Sequence, residues 1–251
     1  MKAIVLSCDH YHEITNHMIL TYQSIWPSNP LTFRVPWNDE YPQFLKDNYG
    51  NKVELIHSSA EFKKTISALT DDLDDNEWIY WCIDDNYMIS INEDEANTTH
   101  NFVQSVDDDH SILAITFFKG NYSIHSVSTV AEDSIMYKGL IFDKREKIVQ
   151  QWQHQFWRVK VLKRMFDCLR EPGLHKAKEL HYMQKIKSVT SPFWNMVSEG
   201  KWYILDHNIA VFGESTSRGV NMTKNCAQSF ERYGLKIPDN FRVSERVTIR
   251  E

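Results

Sequence analysis

Only 4 cysteines, 8 glycines and 7 prolines occur in 251 residues. Cys8, Cys82, Cys168 and Cys226 lie far apart with no Cys-x-x-Cys pair. That excludes a disulfide frame and a cysteine zinc site, and the spacing predicts small apolar residues with free thiols. Scarce glycine and proline exclude low-complexity linkers, and no internal repeat is present. No apolar run approaches the ~20 residues of a membrane span. The stretch Ala3–Leu6 behind Met1-Lys2 is also too short for a signal peptide, so a cytoplasmic protein is expected. GxGxxG, P-loop and GxSxG patterns are missing, which argues against dehydrogenase, P-loop kinase and hydrolase chemistry.

What is present is the balance of a globular chain, 42% hydrophobic and 25% charged. Aromatics reach 13%, with 8 Trp and 11 Tyr, more than a core needs, and rings near a surface commonly stack on sugars or bases. The net charge of −6 is unevenly spread: residues 1–137 carry 7 basic and 22 acidic side chains, a net −15, and residues 138–187 carry 13 and 5, a net +8. The basic block either offers a surface to an anionic partner or simply solvates the outer faces of two amphipathic helices.

Ala3–Cys8 reads as a buried strand, Ile14, Met18, Tyr22 and Ile25 as a helix stopped by Pro27, and Leu31–Trp37 as a second strand. A helix around Tyr41–Leu45, a strand over Val53–Ile56 and a helix marked by Phe62, Ile66, Leu69 and Leu73 follow. Trp78–Ile83 is the strongest buried-strand signal. Beyond it the pattern predicts a helix near 93–106, a strand at Ile112–Phe118 and another at Ile135–Phe142. One long helix is predicted over 148–169 and a basic helix over 175–187. Short strands are expected near 203–205 and 209–212, then a last helix from Met222 to Tyr233 stopped by Gly234.

Ligands of an open α/β sheet sit beyond the carboxyl ends of its central strands. Asp9 and Asp84-Asp85-Asn86 fall at such ends. Carboxylates there either cap the following turn or bind something positive, and a divalent cation bridging to phosphates needs only one or two of them. His10, His12 and His17 fit no metal-ligand spacing, which favours a structural or substrate-contact role.

Several segments, taken in chain order, resemble motifs of GT-A fold, nucleotide-sugar-dependent glycosyltransferases of a bacterial and phage-type group. They are Ser7-Cys8-Asp9-His10-Tyr11, Trp26-Pro27, Trp78–Ile83 with Asp84-Asp85-Asn86-Tyr87, Gln155-Phe156-Trp157-Arg158, and Arg218-Gly219-Val220-Asn221. The resemblance implies a single GT-A-like α/β domain over 1–251, with a Rossmann-like mixed sheet flanked by helices. Residues 1–110 would form the nucleotide-sugar half and 111–251 the acceptor side. It implies Mn²⁺ or Mg²⁺ at Asp84 and Asp85, Asp9 and Tyr11 beside the base or ribose, and Arg218 and Asn221 on the diphosphate. The amides of the last helix would help there. Asn86 stands where a stricter DxD motif has its second Asp, which leaves open the direct ligand and how tightly a metal is held.

The implied reaction moves a sugar, from a UDP-sugar foremost, to an acceptor hydroxyl, with Asp85 at the reacting centre. If configuration inverts, Glu179, 22 residues beyond Trp157, is the base the resemblance indicates, with Glu171 as runner-up. Glu179 reads equally as an ordinary surface carboxylate. Of Trp152 and Trp157, five apart and so on different helical faces, one is expected in the core and the other on a sugar or base. His154, Trp157 and Arg158 are expected on the acceptor side, with His175 and His181. Two anionic acceptors suit the basic block: a lipid-linked envelope saccharide at the inner membrane face, or DNA carrying a hydroxymethylated base. A nucleotidyltransferase of sugar phosphates and a non-catalytic sugar- or nucleic-acid-binding domain are the alternatives.

Overall fold

The computed structural model describes residues 1–117, 129–145, 152–167, 192–217 and 219–250. It begins with β1 (Lys2–Leu6), α1 (His12–Ile25), β2 (Thr32–Trp37), α2 (Gln43–Tyr49), β3 (Val53–His57), α3 (Phe62–Thr70) and β4 (Trp78–Ile83). Then come β5 (Asn86–Ile91), α4 (Glu93–Ser105), β6 (Ile112–Thr116), β7 (Thr129–Tyr137), β8 (Leu140–Arg145), β9 (Gln155–Arg158) and α5 (Val159–Asp167). The chain continues with α6 (Pro192–Glu199), β10 (Lys201–Leu205), β11 (Ala210–Glu214) and α7 (Lys224–Arg232).

One nine-stranded sheet runs β3-β2-β1-β4-β9-β6-β10-β8-β7. Its first four strands are mutually parallel, in the 3-2-1-4 order of a doubly wound α/β sheet. From β9 onward the sheet is mixed, so the fold is α/β with a Rossmann-like mixed sheet.

Successive side chains of β4 point to opposite faces of the sheet and both faces are covered, so all six of its residues are buried. Trp78, Tyr80 and Cys82 join Ala3, Val5, Tyr22, Trp26 and Phe33 in the core on one face. Ile79, Trp81 and Ile83 join Ile4, Leu6, Leu69 and Leu162 on the other, under α3 and α5. A third cluster, with Ile14, Tyr87, Cys226 and Phe230, packs α7 onto α1 and β5.

Three expectations need correction. The helical spacing over 148–169 is, within the described residues, a buried strand followed by a helix. Gln155–Arg158 lies antiparallel between β4 and β6, and a strand apolar on both faces merges by eye into the stripe of α5. The single strand expected over Ile135–Phe142 is a hairpin, turned at Lys138 and Gly139 with φ of 47° and 88°. Third, β5, not anticipated, follows the acidic triplet and pairs with β11 in a separate three-stranded sheet. The expected basic helix over 175–187 lies outside the described residues.

Candidate functional site

β1 and β4 are parallel neighbours in register Leu6↔Ile83, and the Asp84 amide extends their ladder to the Leu6 carbonyl at 3.3 Å. Both chains therefore leave the carboxyl edge of the sheet side by side. Ser7 to Tyr11 leave one strand and Asp84 to Asn86 the other. A third segment closes over them. The Ser215 amide donates to the Asp85 carbonyl at 2.5 Å, and the Tyr11 hydroxyl donates to the Gly219 carbonyl at 2.5 Å.

Asp84 is half-buried. Burial and the adjacent Asp85 charge push its carboxyl well above the usual range, opposed by the Ser7 hydroxyl and the Asp85 amide. Its charge helps to raise the Cys8 thiol, and burial with the Asp84 and Asp85 charges pushes the Tyr11 hydroxyl up to about 12. Among the described residues Asp84 has no cationic partner. A crowded carboxylate that lacks a cationic partner among the described residues suits an external cation. No described set of three or more His, Cys, Asp or Glu side chains could cage a metal. The donor set fits an ion that keeps waters and takes phosphate oxygens, as Mg²⁺ and Mn²⁺ do.

Asp9, expected beside the base or ribose, holds a loop. Its carboxylate accepts the amides of Asn38, Asp39 and Glu40 at 2.8, 2.7 and 2.9 Å, and these bonds hold its pKa low against the cost of burial. It thereby fixes the loop that leaves β2. That loop carries an aromatic group the sequence reading missed. Trp37 and His57 end β2 and β3 as register partners with ring centroids 4.5 Å apart, and Tyr41, 50% exposed, meets the Trp37 ring edge at 5.3 Å. The signal was available: each ring falls at or just past the carboxyl end of a parallel strand.

Two side chains beside the acidic pair hold buried polar atoms with no hydrogen-bond partner among the described residues: Asn86 Oδ1 and both amide atoms of Gln153. They are neighbours, since Asn86 Nδ2 donates to the Trp152 carbonyl at 3.4 Å. Such orphans in a built site mark places for water or ligand hydroxyls.

The expected acceptor residues are not on a surface. Trp157 is fully buried and stacked on Trp81 at 5.7 Å. Arg158, also fully buried, sends its guanidinium to the carbonyls of Asn76, Val106, Asp107, Asp109 and Ile112, and to the Asp107 carboxylate at 2.9 Å. His154 bonds Tyr22 Oη at 2.5 Å and the Ile83 backbone. All three belong to the sheet interior, because β9 is a central strand. The last helix also departs from expectation. Its Lys224 amide donates to the Arg246 carbonyl, and its Cys226 amide to the capping Thr223 hydroxyl, so these are not aimed at a phosphate. His12 and His17 are buried and structural: His12 bonds the Pro36 carbonyl and His17 lies against Phe230 and Tyr87. Asn221 sits beside the closing segment, paired with Ser217. Arg218, Glu171, Glu179, His175 and His181 lie outside the described residues.

No protein-family model and no curated protein matches this chain. Among solved structures, the galactosyltransferase LgtC in complex with donor and acceptor sugar analogs aligns over 99% of this chain and 86% of its own, at 11% identity and TM-score 0.43. S. aureus TarS aligns over 83% of this chain and 36% of its own, at 16% identity and TM-score 0.43. A CMP:2-keto-3-deoxy-manno-octonic acid synthetase complexed with CTP aligns over 93% of this chain and 97% of its own, at 11% identity and TM-score 0.48. These are distant likenesses of shape.

Proposed function

We propose that the protein is a glycosyltransferase of the GT-A type that binds a nucleoside diphosphate sugar, a UDP-sugar foremost, at the carboxyl edge of β1, β2 and β4. The observation that carries this reading is the Asp84–Asp85 pair, crowded at the end of the most buried strand, with no cationic partner on Asp84 among the described residues. A divalent cation on this pair would offset the charge of the departing diphosphate. Trp37, Tyr41 and His57, held by the loop that Asp9 caps, supply a face for the base. Tyr11 ties the loop after β1 to the segment that crosses the site, and Arg218 and Asn221 in that segment are proposed on the diphosphate side.

Gln153 and Asn86, with unmet buried polar atoms, are placed to receive sugar hydroxyls. Asp85 is the carboxylate proposed at the reacting centre, and Glu179 is the proposed base if configuration inverts. The acceptor hydroxyl would belong to an anionic molecule, a lipid-linked saccharide or modified DNA.

Thermal unfolding with UDP- and GDP-sugars, each with and without Mn²⁺, tests the reading. A stabilisation by one nucleotide class that Mn²⁺ enlarges is expected, and no shift with any nucleotide overturns it. Release of pyrophosphate instead of a nucleoside diphosphate would place the protein among nucleotidyltransferases.

A further inference from the structure

Four of the six large apolar side chains that stand exposed among the described residues lie on two adjoining stretches: Val220, and Val243, Val247 and Ile249. Isolated surface valines need no explanation, but a concentration does. Their backbone is firmly tied. Arg242 donates to the Val220 carbonyl at 3.1 Å, Ser244 to Met222 at 2.9 Å, and Glu214 to Thr248 at 3.1 Å. The side chains are thus left in water by a strip that is itself well held.

Exposed Arg242 and Arg246 alternate with these valines. Among the described residues Arg242 makes no ion pair, and the Arg246 guanidinium bonds the hydroxyls of Ser217 and Thr248 and no carboxylate. The intervening Glu245 is neutralised by Lys224 at 2.7 Å. The strip also flanks the site, since Arg246 reaches Ser217 and Ser215 bonds the Asp85 backbone.

We propose that this 242–249 strip, with Val220, docks the protein on an anionic lipid surface. The arginines meet lipid phosphates while the valines enter the boundary between headgroups and acyl chains. Duplex DNA would use the arginines and leave the valines wet, so lipid is the better match in chemistry. Docked this way, the protein presents the edge that carries Asp84 and Asp85 toward molecules embedded in the bilayer. The inference goes beyond the transferase reading and does not depend on it.

Co-sedimentation of the full chain with vesicles of phosphatidylcholine alone, and with about one-third phosphatidylserine, tests it. Binding to the anionic vesicles only is expected. The double variant Arg242→Gln/Arg246→Gln should weaken it about 30-fold. Val243→Ser/Val247→Ser should weaken binding at raised salt, where the arginine contribution is screened. Circular dichroism and thermal midpoints confirm that both variants fold. Equal binding to neutral vesicles, wild-type affinity of both variants, or binding to a DNA duplex but not to vesicles overturns the proposal. Because vesicle binding is read without nucleotide, its failure leaves the donor-site reading standing, and the reverse also holds.

Discussion

At the residue scale, the chain keeps a carboxyl group where its charge is expensive. Asp84 is raised by burial and by Asp85, so replacing it relieves repulsion in the ligand-free fold. Asp84→Asn should leave the thermal midpoint unchanged or higher, while removing any Mn²⁺-dependent stabilisation by nucleotide, read in the same melting assay. Arg158 is the opposite case, since its substitution strands several buried carbonyls. Arg158→Met should cost about 3 kcal/mol, the low end for a broken buried pair because its partner Asp107 is exposed. Urea unfolding measures it, and the loss should appear in stability and not in acceptor affinity.

His17 carries an acid sensitivity. Burial drives it from 6.5 to about 3, so it stays neutral in the fold while the unfolded chain takes up a proton. The unfolded state then binds more protons between these two values, and stability falls as pH drops through that window. Urea midpoints across it should decline in the wild type and decline less steeply in His17→Gln.

At the element scale, the site is assembled by contacts between segments far apart in sequence. Tyr11 and Gly219 are joined by a single bond, and Tyr11→Phe removes it without opening a cavity. A loss of about 1 kcal/mol in stability is expected, together with weaker nucleotide binding by calorimetry, because the crossing segment loses one of its ties to the site. The parallel half was legible in the sequence because continuous apolar strands such as Trp78–Ile83 alternate with helical stripes. The acidic turn was legible because carboxylates stop that run abruptly. What could not be read was antiparallel and non-local: β9 joins the sheet between β4 and β6, and its four residues carry no periodicity of their own. That one insertion moved Trp157, Arg158 and His154 from an imagined acceptor surface into the core. Asp9 was found as a strand-end carboxylate, but its three amide partners come from a loop some thirty residues away that no local pattern announces.

At the scale of the whole molecule, part of the uneven charge is met from within among the described residues. Lys163 pairs with Asp75, Arg158 with Asp107 and Lys144 with Asp133, so described members of the basic block meet acidic groups of the first half. Lys163→Ala should accordingly leave DNA and vesicle binding unchanged in salt titrations. The acidic pair at the edge of β4 is the proposed place for an external cation. Isothermal titration of UDP into the protein with and without Mn²⁺, repeated on Asp85→Asn, tests this most directly. Binding that Mn²⁺ tightens at least about tenfold in the wild type, equivalent to ~1.4 kcal/mol, and that Mn²⁺ no longer affects in the variant, is the expected result. Equal UDP binding by the two proteins with Mn²⁺ present, or no binding of UDP by either, would contradict it.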